Sequence, residues 1–343
     1  MRTIEWDDGV VKMIDQRLLP HRFEIVEFAD YHDVARSITE MYIRGAPAIG
    51  AAAGFGLALA ARQSKATTGD RLLADLREAA AVLLDARPTA VNLRWAVERM
   101  LGRAEALAGG DVEAARASLV AEAQRIADED VEINQRMGAN GASLIKDGDT
   151  ILHHCNTGGL ATVDWGTALG AIRSAHVQGK RIHVLVDETR PRLQGAYLTT
   201  WELQRWGISH SLIADNAAGY FMASGQVDLV MVGADRGAAN GDVVNKIGTY
   251  KLACVARDNN VPFYCVAPTS TVDLRTPSGA EIPIEERDPN EVLYVGDVRI
   301  APEGVQARNP AFDITPHRLV TAIVTEAGIV RPPFEENLHQ AAG

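Results

Sequence analysis

The chain has 343 residues, 47% of them apolar and 23% charged, enough for a sizeable core and for two domains. Its formal net charge of −11 excludes a general nucleic-acid or membrane-surface role, so any anionic ligand must meet local positive charge. Cys155, Cys254 and Cys265 are the three cysteines, with no CxxC pair; neither a disulfide framework nor a zinc ribbon follows, and the cytoplasm is the expected location.

The opening segment TIEWDDGVVKMID reads as a hairpin turning at Asp8-Gly9, with no apolar signal core before it. From about Asp33 to Asp130 the pattern is helical and alanine-rich. Arg44 opens RGAPAIG, ahead of an apolar helix expected near Gly50, and Arg87 precedes PTAVNL, where Pro88 suits a first helical position. An arginine beside a helix start suits bidentate phosphate binding, although a solvated arginine is the ordinary case. The segment EAARASLVAEAQRIADEDVEINQRMG is a long helix suited to bridging two domains.

After KDGDT, short apolar runs alternate with helices, which predicts a parallel sheet covered on both faces. The runs stop at Cys155, Asp187-Glu188, Asp215, Asp235 and Ala267-Pro268. Ligands of open α/β sheets bind outside that carboxyl edge, so one thiol and several carboxylates are expected at one crevice. A helix is expected after Gly159; backbone N–H groups and that helix start would lower the pKa of Cys155, while apolar walls would raise it. Cys254 and Cys265 read as buried small hydrophobes in a helix and a strand. Asp215 reads equally as the N-cap of the next helix. Asp235, among small residues, suits a buried general acid. Asn245 and Lys246 are expected at a helix start, an anion-binding arrangement, against the ordinary reading of an exposed lysine. Residues 267–315 read as irregular, and TPHRLVTAIVTEAG as a closing helix with Thr315 as N-cap.

The GxGxxG, GxxxxGK[ST] and GxSxG signatures are absent, which disfavours a nicotinamide-dependent dehydrogenase. His153, His154 and Cys155 lack a second ligand cluster, so no metal is expected.

RGAPAIG, HHCNTGGLAT, DETRPRLQGAYLTTWEL, GADRGAANGDVVNKIGTYKLA and NPAFDITPHRLVTAIVTEAG occur in that order, from Arg44 to about Gly328. Together they resemble the methylthioribose-1-phosphate isomerase family. Its wider superfamily includes ribose-1,5-bisphosphate isomerases and regulatory subunits of a eukaryotic translation initiation exchange factor. The resemblance implies an α/β protein: a small, mostly helical N-terminal domain with a short β-hairpin region, over residues 1–130, and a Rossmann-like parallel-sheet catalytic domain over 131–343. It implies a homodimer without metal or organic cofactor, converting 5-methylthioribose 1-phosphate to 5-methylthioribulose 1-phosphate in methionine salvage. It assigns the chemistry to Cys155 and Asp235, and substrate binding to Arg44, Gly45, Ala46, Arg87, Gln194, Asn245 and Lys246. The alternatives are an isomerase of 5-deoxyribose 1-phosphate or ribose 1,5-bisphosphate, and a non-catalytic subunit that binds sugar phosphates or nucleotides.

Overall fold

The structure, a computed structural model, describes residues 1–88 and 90–342. The chain divides into two compact units: one of Met1–Ile133 with Gly159–Gly166, the other of Asn134–Gly158 with the chain from Thr167 onward.

In the first unit, β1 (Ile4–Asp7) and β2 (Val10–Ile14) form the expected antiparallel hairpin, and β3 (Ile25–Phe28) pairs with β2. Asp8 and Gly9 both take positive φ, the conformation a two-residue hairpin turn requires. The helices are α1 (Tyr31–Thr39), α2 (Ala46–Gln63), α3 (Gly69–Ala86), α4 (Val91–Leu107) and α5 (Val112–Ala142). Helix α2 is apolar all round and buried from Ala48 to Ala61. Its small residues admit close neighbours: Gly56 faces Leu83 of α3, and Gly54 faces Ala123 and Ile126 of α5. Two sequence expectations change here. Helix α2 begins at Ala46, not near Gly50, because Pro47 already suits its first turn. Pro88 does not open α4: Arg87 caps the end of α3, and α4 starts at Val91 after the cap residue Ala90.

In the second unit, a seven-stranded sheet collects β4 (Thr150–His153), β5 (His183–Asp187), β6 (Ser209–Ile213), β7 (Leu229–Val232), β10 (Phe263–Val266), β15 (Ala322–Thr325) and β16 (Gly328–Val330). The order is β16-β15-β10-β7-β4-β5-β6, parallel except for the antiparallel edge strand β16. Strands β7, β10 and β15 are buried at every position, and β4 at all but its first, as strands covered on both faces must be. A second sheet, in the order β11-β8-β9-β14, joins β8 (Arg236–Ala238), β9 (Val243–Lys246), β11 (Val272–Asp273) and β14 (Phe312–Thr315). A short pair, β12 (Tyr294–Val295) and β13 (Val298–Arg299), follows helix α10 (Asn290–Leu293).

Leu152, Leu185, Val230, Phe263 and Ile323 line one face of the large sheet. Residues of α8 (Ala218–Ala223), α9 (Thr249–Asp258) and α11 (Phe334–Ala342) pack on them. Elsewhere Gly141 of α5 meets Ala171 of α6 (Ala168–Val177) and Val324 of β15. Helix α7 (Thr200–Trp206) continues a π turn over Gly195–Thr199. Among the described residues no helix is long and apolar enough to cross a membrane.

Three further expectations are overturned. Only a 3-10 turn, Gly159–Ala161, follows Gly159, and α6 waits until Ala168. Asn245 and Lys246 end strand β9 instead of opening a helix. TPHRLVTAIVTEAG forms no closing helix: Thr315 ends β14, and Ala322–Thr325 is a core strand between β10 and β16. Its β-branched Ile, Val and Thr suit the buried pleat, and the sheet overrides the Thr-Pro start signal.

The segment 159–166 is tied into the first unit by backbone groups. Thr3 Oγ1 donates to Gly159 O (2.6 Å), Gln16 Nε2 to Leu160 O (2.7 Å) and Thr3 N to Val163 O (2.8 Å). Gly45, at φ 92°, lies so close that an added Cβ would stand 2.2 Å from Ala161 O. Gly45→Ala is therefore expected to destabilise the protein by more than about 2 kcal/mol, read as a lower denaturant midpoint; an unchanged midpoint would refute this packing.

Candidate active site

The chain order of the large sheet reverses at β4. The path runs from β4 outward through β5 and β6, then crosses to β7 on the other side of β4. A crevice opens at such a switch point, outside the carboxyl ends of the two flanking strands. Here those strands are β4 and β7, paired with Leu152 opposite Val230 and His153 opposite Met231. Cys155 lies just beyond the end of β4, and Asp235 just beyond the end of β7. The loops after them meet, since Thr157 packs against Gly233, where a Cβ would come within 2.7 Å of the threonine methyl.

Cys155 is 6% exposed and adopts φ 65°, in the left-handed region that a side chain disfavours. Its neighbours hold it there. Its N–H donates to Thr189 Oγ1 (2.8 Å), and its carbonyl accepts from Thr199 Oγ1 (2.7 Å). Thr189 Oγ1 donates in turn to Asp187 O (3.0 Å). Asn156 Nδ2 donates to the buried Glu202 Oε1 (2.8 Å), and Glu202 also lies against Gly158, where no Cβ would fit. The thiol thus sits on a turn clamped by the loop after β5 and by α7. Thr189, Thr199 and Glu202 escape the sequence reading; only their place within DETRPRLQGAYLTTWEL hints at them.

Asp235 is partly buried, and its N–H donates to Val244 O (2.9 Å), one residue before Asn245. Asn245 is buried with Nδ2 donating to Thr249 Oγ1 (3.0 Å). Lys246 is 7% exposed, not a surface lysine. Its ammonium donates to Ala311 O (2.8 Å) and lies 4.3 Å from the centre of the Phe312 ring. The expected anion site at the following helix start already holds a carboxylate: Asp313 accepts from Gly248 N (2.8 Å) and Tyr250 N (3.0 Å). Asp215 likewise caps no helix of its own. It accepts from Thr189 N and Arg190 N, both at 2.7 Å, and so shapes the loop that holds Cys155. Gln194 is buried, and its Oε1 has no hydrogen-bond partner among the described residues. In the first unit, Arg44 and Arg87 are partly buried; Gly45 is the N-cap of α2 and supplies no capping side chain.

Of the other two cysteines, Cys265 is buried as read, whereas Cys254 is only partly buried. Cys254 lies in α9. Cys265 in β10 points its thiol at Gly233 O, and burial, with the Asp235 charge behind it, pushes that thiol up to about 12.

The paired histidines differ in their partners. His153 Nδ1 donates to Met231 O (2.8 Å), while Nε2 lies 3.4 Å from the Thr157 hydroxyl, which can donate to it. Burial pushes this imidazole down to about 4, so it is neutral in the fold. The unfolded chain binds a proton there below its ordinary 6.5, whereas the folded chain does not. Its contribution to stability is therefore complete above 6.5 and is lost as pH falls toward 4. This contribution amounts to about 3 kcal/mol. Urea midpoints at about pH 7 and about pH 4.5 are expected to differ by less in His153→Gln than in the parent; equal differences would show that His153 does not carry that slope.

The profile of the Initiation factor 2 subunit family matches residues 42–332. The methylthioribose-1-phosphate isomerase of Chloroflexus aurantiacus is 57% identical over 340 residues, spanning 99% of this chain and 98% of its own. The crystal structure of 5-methylthioribose 1-phosphate isomerase from Pyrococcus horikoshii OT3 has a TM-score of 0.94 at 50% identity, over 99% of this chain and 95% of that one. A structure described as translation initiation factor eIF-2B, subunit delta, from A. fulgidus has a TM-score of 0.90 at 47% identity, over 100% of this chain and 99% of that one. With matches spanning nearly its whole length, the chain belongs to the Initiation factor 2 subunit family and, within it, to the methylthioribose-1-phosphate isomerases.

Proposed function

We propose that this isomerase converts 5-methylthioribose 1-phosphate to 5-methylthioribulose 1-phosphate in methionine salvage, with Asp235 as general acid and Cys155 as the proton carrier. The observation that carries this reading is the emergence of these two residues from β4 and β7, the strands flanking the switch point. The names of the isomerase relatives point to the same substrate.

The chemistry explains the residue types. The anomeric oxygen of this substrate carries phosphate, so the ring cannot open by simple loss of a hydroxyl proton. Protonated Asp235 gives its proton to the ring oxygen as the bond from C1 to that oxygen breaks. The thiolate of Cys155 takes the proton from C2, leaving an enol phosphate. The enol hydroxyl then returns a proton to Asp235, and Cys155 delivers its proton to C1. Both residues end as they began, and the product is the C2 ketone.

Gln194 offers its unpartnered Oε1 to a sugar hydroxyl. Arg44, Arg87, Asn245 and Lys246 bind phosphate and hydroxyls, and Gly45 and Ala46 present uncapped amides at the start of α2. Their value lies in orientation and charge matching. The enzyme in this reading is a cytoplasmic homodimer that uses no metal or organic cofactor, and light scattering on the purified protein tests the dimer.

Cys155→Ser and Asp235→Asn are expected to fold and bind substrate while kcat falls at least about a hundredfold. Near-normal turnover by either would discard its role. In deuterated water, deuterium at C1 of the product is expected; its absence would replace the proton route with a hydride shift from C2 to C1, leaving Cys155 a positioning role. The likeness to the A. fulgidus structure favours one second reading, a non-catalytic binding subunit. Assay of the pure protein with 5-methylthioribose 1-phosphate, 5-deoxyribose 1-phosphate and ribose 1,5-bisphosphate decides between a subunit inert toward all three and an isomerase with one preferred substrate.

A further inference from the structure

The chemistry above uses neither of the histidines that precede Cys155, yet His154 occupies an unusual place. Its ring is 1% exposed and touches acceptors at both nitrogens. Nε2 lies 2.9 Å from Ile247 O, a group that only accepts, so Nε2 carries hydrogen. Nδ1 lies 2.8 Å from Oδ2 of Asp187, a carboxyl group that is 0% exposed. One proton must sit in that second contact, since otherwise two lone pairs would face each other in a dry site.

We infer that His154 is held as an imidazolium between Asp187 and the Ile247 carbonyl, and that it is a positioning residue for the turn that carries Cys155. Its part in turnover rests on the isomerase reading above; its charge state does not.

The surroundings favour the proton on the ring. Asp215, after β6, brings a carboxylate oxygen within 4.8 Å of the His154 and Asp187 ligand atoms. Both its oxygens accept amide hydrogens, from Thr189 and Arg190. Asp313 of β14 is a further carboxyl group facing the ring, while Lys246 of β9 faces Asp313 and Lys251 of α9 faces Asp187. His153, on β4, is neutral. Burial opposes charge on both partners and lifts Asp187 above the usual carboxylate range, while on His154 the Asp187 hydrogen bond and the Asp187 and Asp215 charges outweigh burial, so its pKa is raised. A divalent ion on the same three residues would need the proton gone, and 2.8 Å is hydrogen-bond spacing for Nδ1 and Oδ2.

The contacts of the ring explain the positioning. Asp187 ends β5, and its carbonyl accepts from the Thr189 hydroxyl that holds the Cys155 amide. Ile247 directly follows Asn245 and Lys246. Gly248, at φ 104°, brings its backbone against the ring, where a Cβ would stand 3.0 Å from His154 Cε1. The imidazolium therefore joins the thiol turn, the loop after β5 and the end of β9. The left-handed conformation at Cys155 persists only under such external constraint. The clamp is closed while the shared proton is present and opens as pH rises through the raised pKa of His154.

Asp187→Asn tests this with little change of shape. Its amide donates to Nδ1, keeps both contacts and leaves the ring neutral. Nitrogen-15 NMR of the wild-type protein is expected to show both His154 ring nitrogens protonated from about pH 6 to about pH 8, and Asp187→Asn only one. The variant is expected to lose about 10- to 100-fold in kcat with KM within about threefold, and its pH profile to lose the step at which wild-type His154 gives up its proton. A purely structural role would leave that profile unmoved. The inference is overturned if wild-type His154 is neutral at about pH 7, if one divalent metal per chain copurifies with it, or if Asp187→Asn matches wild-type kcat and profile. The wild-type spectrum decides the charge state even if the variant does not fold. Should the protein turn over none of the sugar phosphates, the isomerase reading fails alone, and the spectrum still stands as the test of the pair.

Discussion

One constraint organises the second unit: a parallel sheet whose chain order reverses beside β4 must leave a gap at its carboxyl edge. The connection after β4 leads to β5 on one side and the connection after β7 leads to β10 on the other, the arrangement that opens a crevice at a carboxyl edge. Residues just past the two strands inherit the gap. They are a cysteine and an aspartate, the pair to which the proposed proton transfer is assigned. A fold of this kind hosts many activities, and the likeness to a structure described as an initiation-factor subunit illustrates it. The argument for function therefore rests on these side chains rather than on the sheet.

Holding the thiol in that gap is demanding. A non-glycine residue at φ 65° costs roughly 1–2 kcal/mol relative to an ordinary backbone. Hydrogen bonds with two threonine hydroxyl groups, packing by Glu202 and the His154 ring all bear on the same few residues. Most of these polar atoms are buried and hydrogen-bonded to one another, which favours a single arrangement of the turn. The exceptions are Gln194 Oε1 and Asp187 Oδ1, buried acceptors with no hydrogen-bond partner among the described residues. An unsatisfied buried acceptor costs about 1–3 kcal/mol, a cost a bound hydroxyl group would offset.

The first unit shows the same economy with backbone instead of side chains. The RGAP segment enters α2 through a glycine whose Cβ position is occupied by the chain at Ala161. No capping side chain fits there, so the helix start keeps its amides for another acceptor.

Much of this was legible in the sequence. Short continuous apolar runs, alanine-rich helices and the Asp8-Gly9 turn placed most elements, because local pattern and final environment agree there. The strand ends named Cys155, Asp187, Asp215 and Asp235 before any coordinates. Local signals failed where tertiary contacts outweighed them. Thr315-Pro316 announces a helix, yet β10 and β16 claim Ala322–Thr325 as a core strand. Lys246 reads as a surface cation, yet β14 and the Phe312 ring enclose it. By itself the sequence determined which chemical groups are available and that they follow strands. Only the tertiary structure decided that β4 and β7 are neighbours, that Asp215 shapes a loop instead of capping a helix, and that His154 meets Asp187. Strand order and long-range hydrogen bonds join residues far apart in the chain, and no local periodicity encodes them.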